Sequence, residues 1–205
     1  MNFEEVNLFL KNKYLTKKTT ANLEKYVLSE LYVPIADYQN AVHLIIQADK
    51  ELISRKLMFI ELFISIEYLH CKSYYYHILK DSIFDLTEEE KALFYYLEAL
   101  LFIQNNEKSE EEIIKLLDKS ISYKVSFVAN YIQRAKFEKN EKNKIKLSTI
   151  AFKNIKQILT INDCESNDNN DFYFDIDFYI DSEIKQVILT EPQVEILFGE
   201  FNILE

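Results

Sequence analysis

The sequence predicts a mainly α fold, stacked antiparallel helical hairpins followed by a small C-terminal strand, strand, helix (ββα) appendage. Three observations carry this. Apolar residues recur at helical spacing from residue 3 to 161. Two Thr/Ser-x-x-Glu capping boxes mark clean helix starts at Thr87 and Ser109, and at Phe172 the apolar period drops to two. With 205 residues, 48% of them hydrophobic, the chain can bury a continuous core.

The first expected helix carries the short stripe Phe3, Val6, Leu10. The second follows the cap candidates Thr19 and Thr20, buries Leu23, Val27, Leu28 and Leu31, and stops before Pro34. A third covers Ala36 to Ile46, and a long one runs from about Asp49 to His70. The run LMFIELFISIEYL inside the latter, although broken by Glu61 and Glu67, reads as a buried central helix; it is shorter than the roughly 20 residues that cross a bilayer. Lys72 or Ser73 then opens a short helix through Tyr76, Leu79 and Ile83.

After this the spacing predicts four helices, at about 88–104, 110–122, 125–138 and 142–161, separated by short polar breaks: two consecutive antiparallel pairs. Tyr95, Ala99 and Leu101 align with Tyr131, Ala135 and Phe137 at an offset of 36, and Ile113, Leu117 and Ile121 with Leu147, Ala151 and Ile155 at 34. Over residues 88–161 this resembles the tetratricopeptide-type helical repeat, in which two-helix units stack to share a core. The family's small residue in the first helix and its closing proline are missing, with Glu98 or Arg134 standing near the former. The resemblance implies a scaffold for peptide or protein binding, with a secondary groove around Tyr95, Tyr96, Tyr131 and Arg134, and implies nothing catalytic.

Charge is distributed very unevenly. Residues 1–86 hold 10 Lys and Arg against 11 Asp and Glu, residues 87–161 hold 13 against 11, and residues 162–205 hold 1 against 12. The excess of negative charge, minus 10 overall, thus belongs to the last segment, whose single base is Lys185. Domain organisation follows: a helical domain over 1–161, an acidic linker over 162–171, and an acidic strand-strand-helix unit over 172–205.

Within that unit Phe172, Phe174, Ile176, Phe178 and Ile180 alternate with Tyr173, Asp175, Asp177, Tyr179 and Asp181, the pattern of a half-buried strand. Ile184 to Leu189 is the expected return strand. Thr190 with Gln193, and Pro192 in the first turn, open a helix with the apolar stripe Val194, Leu197, Phe198, Phe201.

Complete catalytic or metal-binding constellations are not found. Asp175 and Asp177 share a strand face and are similar to the Asp-x-Asp pair of nucleotidyltransferases, which makes them the weak metal candidates. The glycine turn that cradles a triphosphate upstream is absent, because the only glycine is Gly199. Asp163, Glu165, Asn167 and Asn169 mimic a calcium loop, but Asp168 and Phe174 occupy its required Gly and Glu positions. Glu67 and His70 have a di-iron spacing without the second copy that such a site needs. Cys71 and Cys164 form no metal pair or disulfide framework, and the basic residues expected of an export signal are missing from the N-terminus.

The expectation is a cytoplasmic, non-catalytic protein-binding module without cofactor. Its partner would be another protein with a basic surface, as for an immunity or inhibitor protein that neutralises a basic toxin or effector. The contact face would be Asp171, Tyr173, Asp175, Asp177, Tyr179 and Asp181, whose carboxylates steer and whose tyrosines pack. The same charges also keep an exposed strand edge from pairing with other chains. Alternatives are a nucleic-acid mimic blocking a DNA-binding protein, a metal-dependent nucleotidyltransferase-like enzyme, and a peptide-sensing repeat domain. Direct nucleic-acid contact and membrane insertion are not expected from this charge and hydropathy.

Overall fold

The computed structural model describes residues 3–31 and 37–165, and the side chains of 5–31 and 37–154. Among these there are nine α-helices and two 3-10 turns, and no strand. The expected ββα appendage lies outside the described residues. The chain divides into two compact units, Met1–Asp85 and Leu86–Glu205, the boundary falling one residue before the Thr87 capping box.

In the first unit α1 (Phe3–Thr16), α2 (Thr20–Leu31), α3 (Tyr38–Gln47), α4 (Arg55–Glu67) and α5 (Tyr76–Asp81) each pack on the next in sequence. Thr19 caps α2 by accepting from Asn22 N at 3.3 Å, and Asp37 caps α3 by accepting from Asn40 N at 2.8 Å. The single helix expected from Asp49 to His70 is instead divided. A 3-10 turn, Lys50–Leu52, comes first, and Ser54 then takes an extended backbone (ψ 159°) and accepts from Leu57 N at 3.3 Å. A serine hydroxyl that captures a free amide starts a new helix more favourably than it continues an old one. At the far end α4 stops at Glu67, and His70 turns the chain in the left-handed region at φ 49°. Its Nδ1 donates to the Ile66 carbonyl at 3.1 Å.

Helix α4 is the expected buried element, with Leu57, Phe59, Ile60, Leu62, Ile64 and Ile66 all at most 2% exposed. Its Glu61 and Ser65 are buried as well, so it has no solvent stripe over this span.

The second unit is a stack of α6 (Glu88–Asn105), α7 (Glu110–Tyr123), α8 (Val128–Lys136) and α9 (Glu141–Glu165), with α6 on α7, α7 on α8 and α8 on α9. This is the arrangement of neighbouring helices that a helical repeat produces. Both capping boxes form with reciprocal hydrogen bonds: Glu90 N to Thr87 Oγ1 (3.2 Å) and Thr87 N to Glu90 Oε2 (2.8 Å), then Glu112 N to Ser109 Oγ (3.3 Å) and Ser109 N to Glu112 Oε2 (3.2 Å). Asn106, at φ 52°, closes α6 with Glu107 N on Phe102 O and its own N on Ile103 O, an asparagine in the place where glycine is commonest.

Two helices differ from expectation. Helix α8 starts late because the turn from Lys124 O to Phe127 N occupies its expected first residues, and it ends at Lys136, where Phe137 N and Glu138 N bond three residues back to Arg134 O and Ala135 O. Helix α9 starts at Glu141, behind Asn140, whose Oδ1 accepts from Lys142 N (3.0 Å) and Asn143 N (3.2 Å), and it continues past Ile161 to Glu165. Asn162 to Glu165, the start of the expected acidic linker, are thus helical, and the rest of it lies outside the described residues. These helical residues contain no Gly or Pro, and their intrinsic cost in a helix is a few tenths of a kcal/mol each, at most about 0.7.

Two of the pairs matched by the internal offset have matched burial, whereas Tyr95 is only partly buried where Tyr131 is core. Ala99 and Ala135 are 0% and 5% exposed, and Leu117 and Ala151 are both 0%. Ala99, Ile113 and Leu117 form one core cluster with Tyr96, Phe102 and Phe137 against it; Val128, Tyr131, Ile132 and Ala151 form the next, joined by Ile121, Leu147 and Ile150.

Candidate functional site

The acidic face expected to bind a partner, Asp171, Tyr173, Asp175, Asp177, Tyr179 and Asp181, lies outside the described residues, as does the Asp175/Asp177 pair considered for a metal. The four residues of the secondary groove are all described, and each meets a different set of neighbours. Tyr95 stacks on Tyr123 of α7, with centroids 5.8 Å apart and planes 8° from parallel. Tyr96, about 100° further round α6, meets Phe127 edge-on at 5.0 Å. Tyr131 is 6% exposed within the α8–α9 core, where burial pushes its phenol above the ordinary tyrosine value. Arg134 reaches back to α7, its Nε donating to Asp118 Oδ1 at 2.9 Å, with Nη1 3.5 Å from Glu138 Oε2 at a geometry that makes an ion pair without a hydrogen bond.

What the structure assembles around Tyr95 is a cation-aromatic ladder on one side of the α6/α7 hairpin. Lys119 Nζ sits 4.1 Å from the Tyr95 ring centroid and Lys91 Nζ 6.0 Å from that of Tyr123, on rings already stacked together. A hydrogen bond with Tyr95 holds the Lys119 ammonium above the ordinary lysine value; Tyr123 and Glu98 act in the same sense, while partial burial opposes them. At the end of the same hairpin Lys124 Nζ lies 3.2 Å from Glu89 Oε1. Tyr123 and Lys119 were not singled out from sequence, although the signal existed: Lys119 and Tyr123 are four residues apart and therefore share a helix face.

Two buried polar clusters also went unread in the sequence. Glu61, 1% exposed, accepts four hydrogen bonds: from Ser65 Oγ (3.0 Å), Ser73 Oγ (2.6 Å), Tyr74 N (2.9 Å) and Tyr75 N (3.4 Å). Ser73 Oγ accepts in turn from Tyr75 N (3.2 Å) and Tyr76 N (3.1 Å). One carboxylate in α4 thus fixes the entry into α5. Burial, aided by Tyr74 and Glu61, raises the Tyr75 phenol above its ordinary value. In the second unit Ser120 Oγ donates to Ala92 O and accepts from Asn130 Nδ2 (2.7 Å), which ties α6, α7 and α8 through fully buried groups. Asn130 Oδ1 is buried without a hydrogen-bond partner.

No group of three or more His, Cys, Asp and Glu side chains among the described residues could hold a metal ion, and no described helix is long and apolar enough to cross a membrane. Comparison with protein-family models, with curated proteins and with solved structures returns no match to this chain.

Proposed function

We propose that the chain is a non-catalytic protein-binding module whose acidic C-terminal segment engages a basic surface on another protein, in the manner of an immunity or inhibitor protein that neutralises a basic toxin or effector. The observation that carries the reading is the confinement of excess negative charge to residues 162–205, 12 acids against 1 base, a segment that begins in the last turn of a stack of paired helices. A helical stack supplies a rigid mount, and a one-sided field speeds encounter with an oppositely charged surface and suppresses wrong partners. Asp171, Asp175, Asp177 and Asp181 would supply the charge, Tyr173 and Tyr179 the packing area.

The experiment is a paired bait comparison from the source organism's lysate, with the full chain and its Asp175→Asn/Asp177→Asn/Asp181→Asn variant, each at low and high salt, read by quantitative mass spectrometry. The reading expects basic proteins held by the wild-type bait at low salt, released by high salt and depleted on the variant. Recovery of the same proteins in equal amount on both baits would overturn it.

A further inference from the structure

Helix α9 has two unlike faces. Leu147, Ile150, Ala151 and Asn154 turn inward: Leu147, Ile150 and Ala151 join the α8–α9 core, and Asn154 Nδ2 donates to Val125 O at 3.1 Å. The outward face holds Lys142, Ile145, Lys146, Thr149, Phe152 and Lys153, all exposed. Ile145 is 65% and Phe152 41% accessible, a large investment of apolar surface in water, and among the described residues no ion pair engages the three lysines. An apolar pair fenced by cations on a single helix face suits an amphipathic acidic segment.

We infer that this face is the docking site for the chain's own residues 190–205. Three properties of that segment match it. It carries Glu191, Glu195, Glu200 and Glu205 and no base, opposite in sign to the lysines. Its apolar stripe places Val194 and Phe201 seven residues apart, the same interval as Ile145 and Phe152, or about 10 Å on a helix. The 24 residues between Glu165 and Thr190 can extend to roughly 80 Å, while the path back along α9 from Glu165 to Ile145 is about 30 Å. Docking in this way would cover Ile145 and Phe152 and set the glutamates of 190–205 against Lys142, Lys146 and Lys153. The inference does not depend on what residues 171–181 bind.

A carbodiimide, which couples a carboxylate to an adjacent lysine amine without a spacer, tests it on the full-length protein prepared as an equal mixture of unlabelled and ¹⁵N-labelled chains. Expected are coupled peptides that join Lys142, Lys146 or Lys153 to Glu191, Glu195 or Glu200, both halves carrying the same isotope. Ile145→Asp with Phe152→Asp, two surface changes, should cut their yield about tenfold. Exchanging the charges, Lys142→Glu/Lys146→Glu/Lys153→Glu together with Glu191→Lys/Glu195→Lys/Glu200→Lys, should restore coupling that either triple change alone abolishes. Mixed-isotope pairs would assign the face to a second copy, and coupling of the same glutamates spread evenly over lysines elsewhere would mean no docking; either result overturns the inference.

Discussion

At the scale of single residues, Glu61 holds four donors of the first unit from a position 1% exposed. A buried carboxylate is costly unless its lone pairs are met, and here two hydroxyls and two amides meet them. Glu61→Ala leaves those donors facing an apolar gap and should cost about 3–5 kcal/mol, read as a lower denaturant midpoint for the first unit. Glu61→Gln keeps one acceptor oxygen and should cost less. The sequence showed Glu61 only as an interruption in an apolar run, because three of its partners lie 12 to 14 residues away, beyond any local pattern. Tyrosines make a second residue-scale prediction. Burial raises Tyr26 (with Glu30 adding), Tyr75 and Tyr131 above their ordinary value. Each group raised in this way stabilises the fold fully below its unfolded value of about 10, and that contribution is lost as pH rises through the higher folded value. Stability should therefore fall on the alkaline side above pH ~10, and phenolate absorbance should appear in two steps, exposed tyrosines first and these three together with unfolding.

Among the elements, helix starts with a local code were legible and those set by distant partners were not. Thr87/Glu90 and Ser109/Glu112 could be paired from spacing alone because both halves of a capping box sit within one turn. Thr87→Ala should lower the stability of the second unit by about 1 kcal/mol in a denaturant titration. The division of Asp49 to His70 into a 3-10 turn and α4 was hidden, since Ser54 both caps its own helix and donates to Glu24 of α2, a partner 30 residues back. The surroundings of the four residues expected to line a groove were hidden for a similar reason. The internal offset equates Tyr95 with Tyr131, yet the first stacks half-exposed on Tyr123 and the second is core. Position in a repeat fixes which side of the helix a residue takes; the neighbouring helix decides whether that side is covered. Ser120 stands where three helices meet, so Ser120→Ala should cost about 2 kcal/mol by taking from the buried Asn130 Nδ2 its acceptor and from Ala92 O its second donor, whereas Ser122→Ala, on the exposed side of α7, should be nearly silent.

For the whole molecule, the defining property is the separation of scaffold from charge. Residues 87–161 are balanced to slightly basic, with 13 bases and 11 acids, and the excess acidity begins only with Asp163 in the last turn of α9. Such asymmetry serves steering, for which the field must point one way, and the proposal that it meets a basic partner stands or falls on electrostatics. The most direct measurement is the affinity of the full chain for a basic protein retained by the wild-type bait, determined over a range of salt concentrations beside Asp175→Asn/Asp177→Asn/Asp181→Asn. The account predicts a wild-type affinity that drops steeply as salt rises, a variant weaker by about tenfold or more at low salt, and curves that converge at high salt where the charges are screened. Superimposable curves for the two proteins would contradict it.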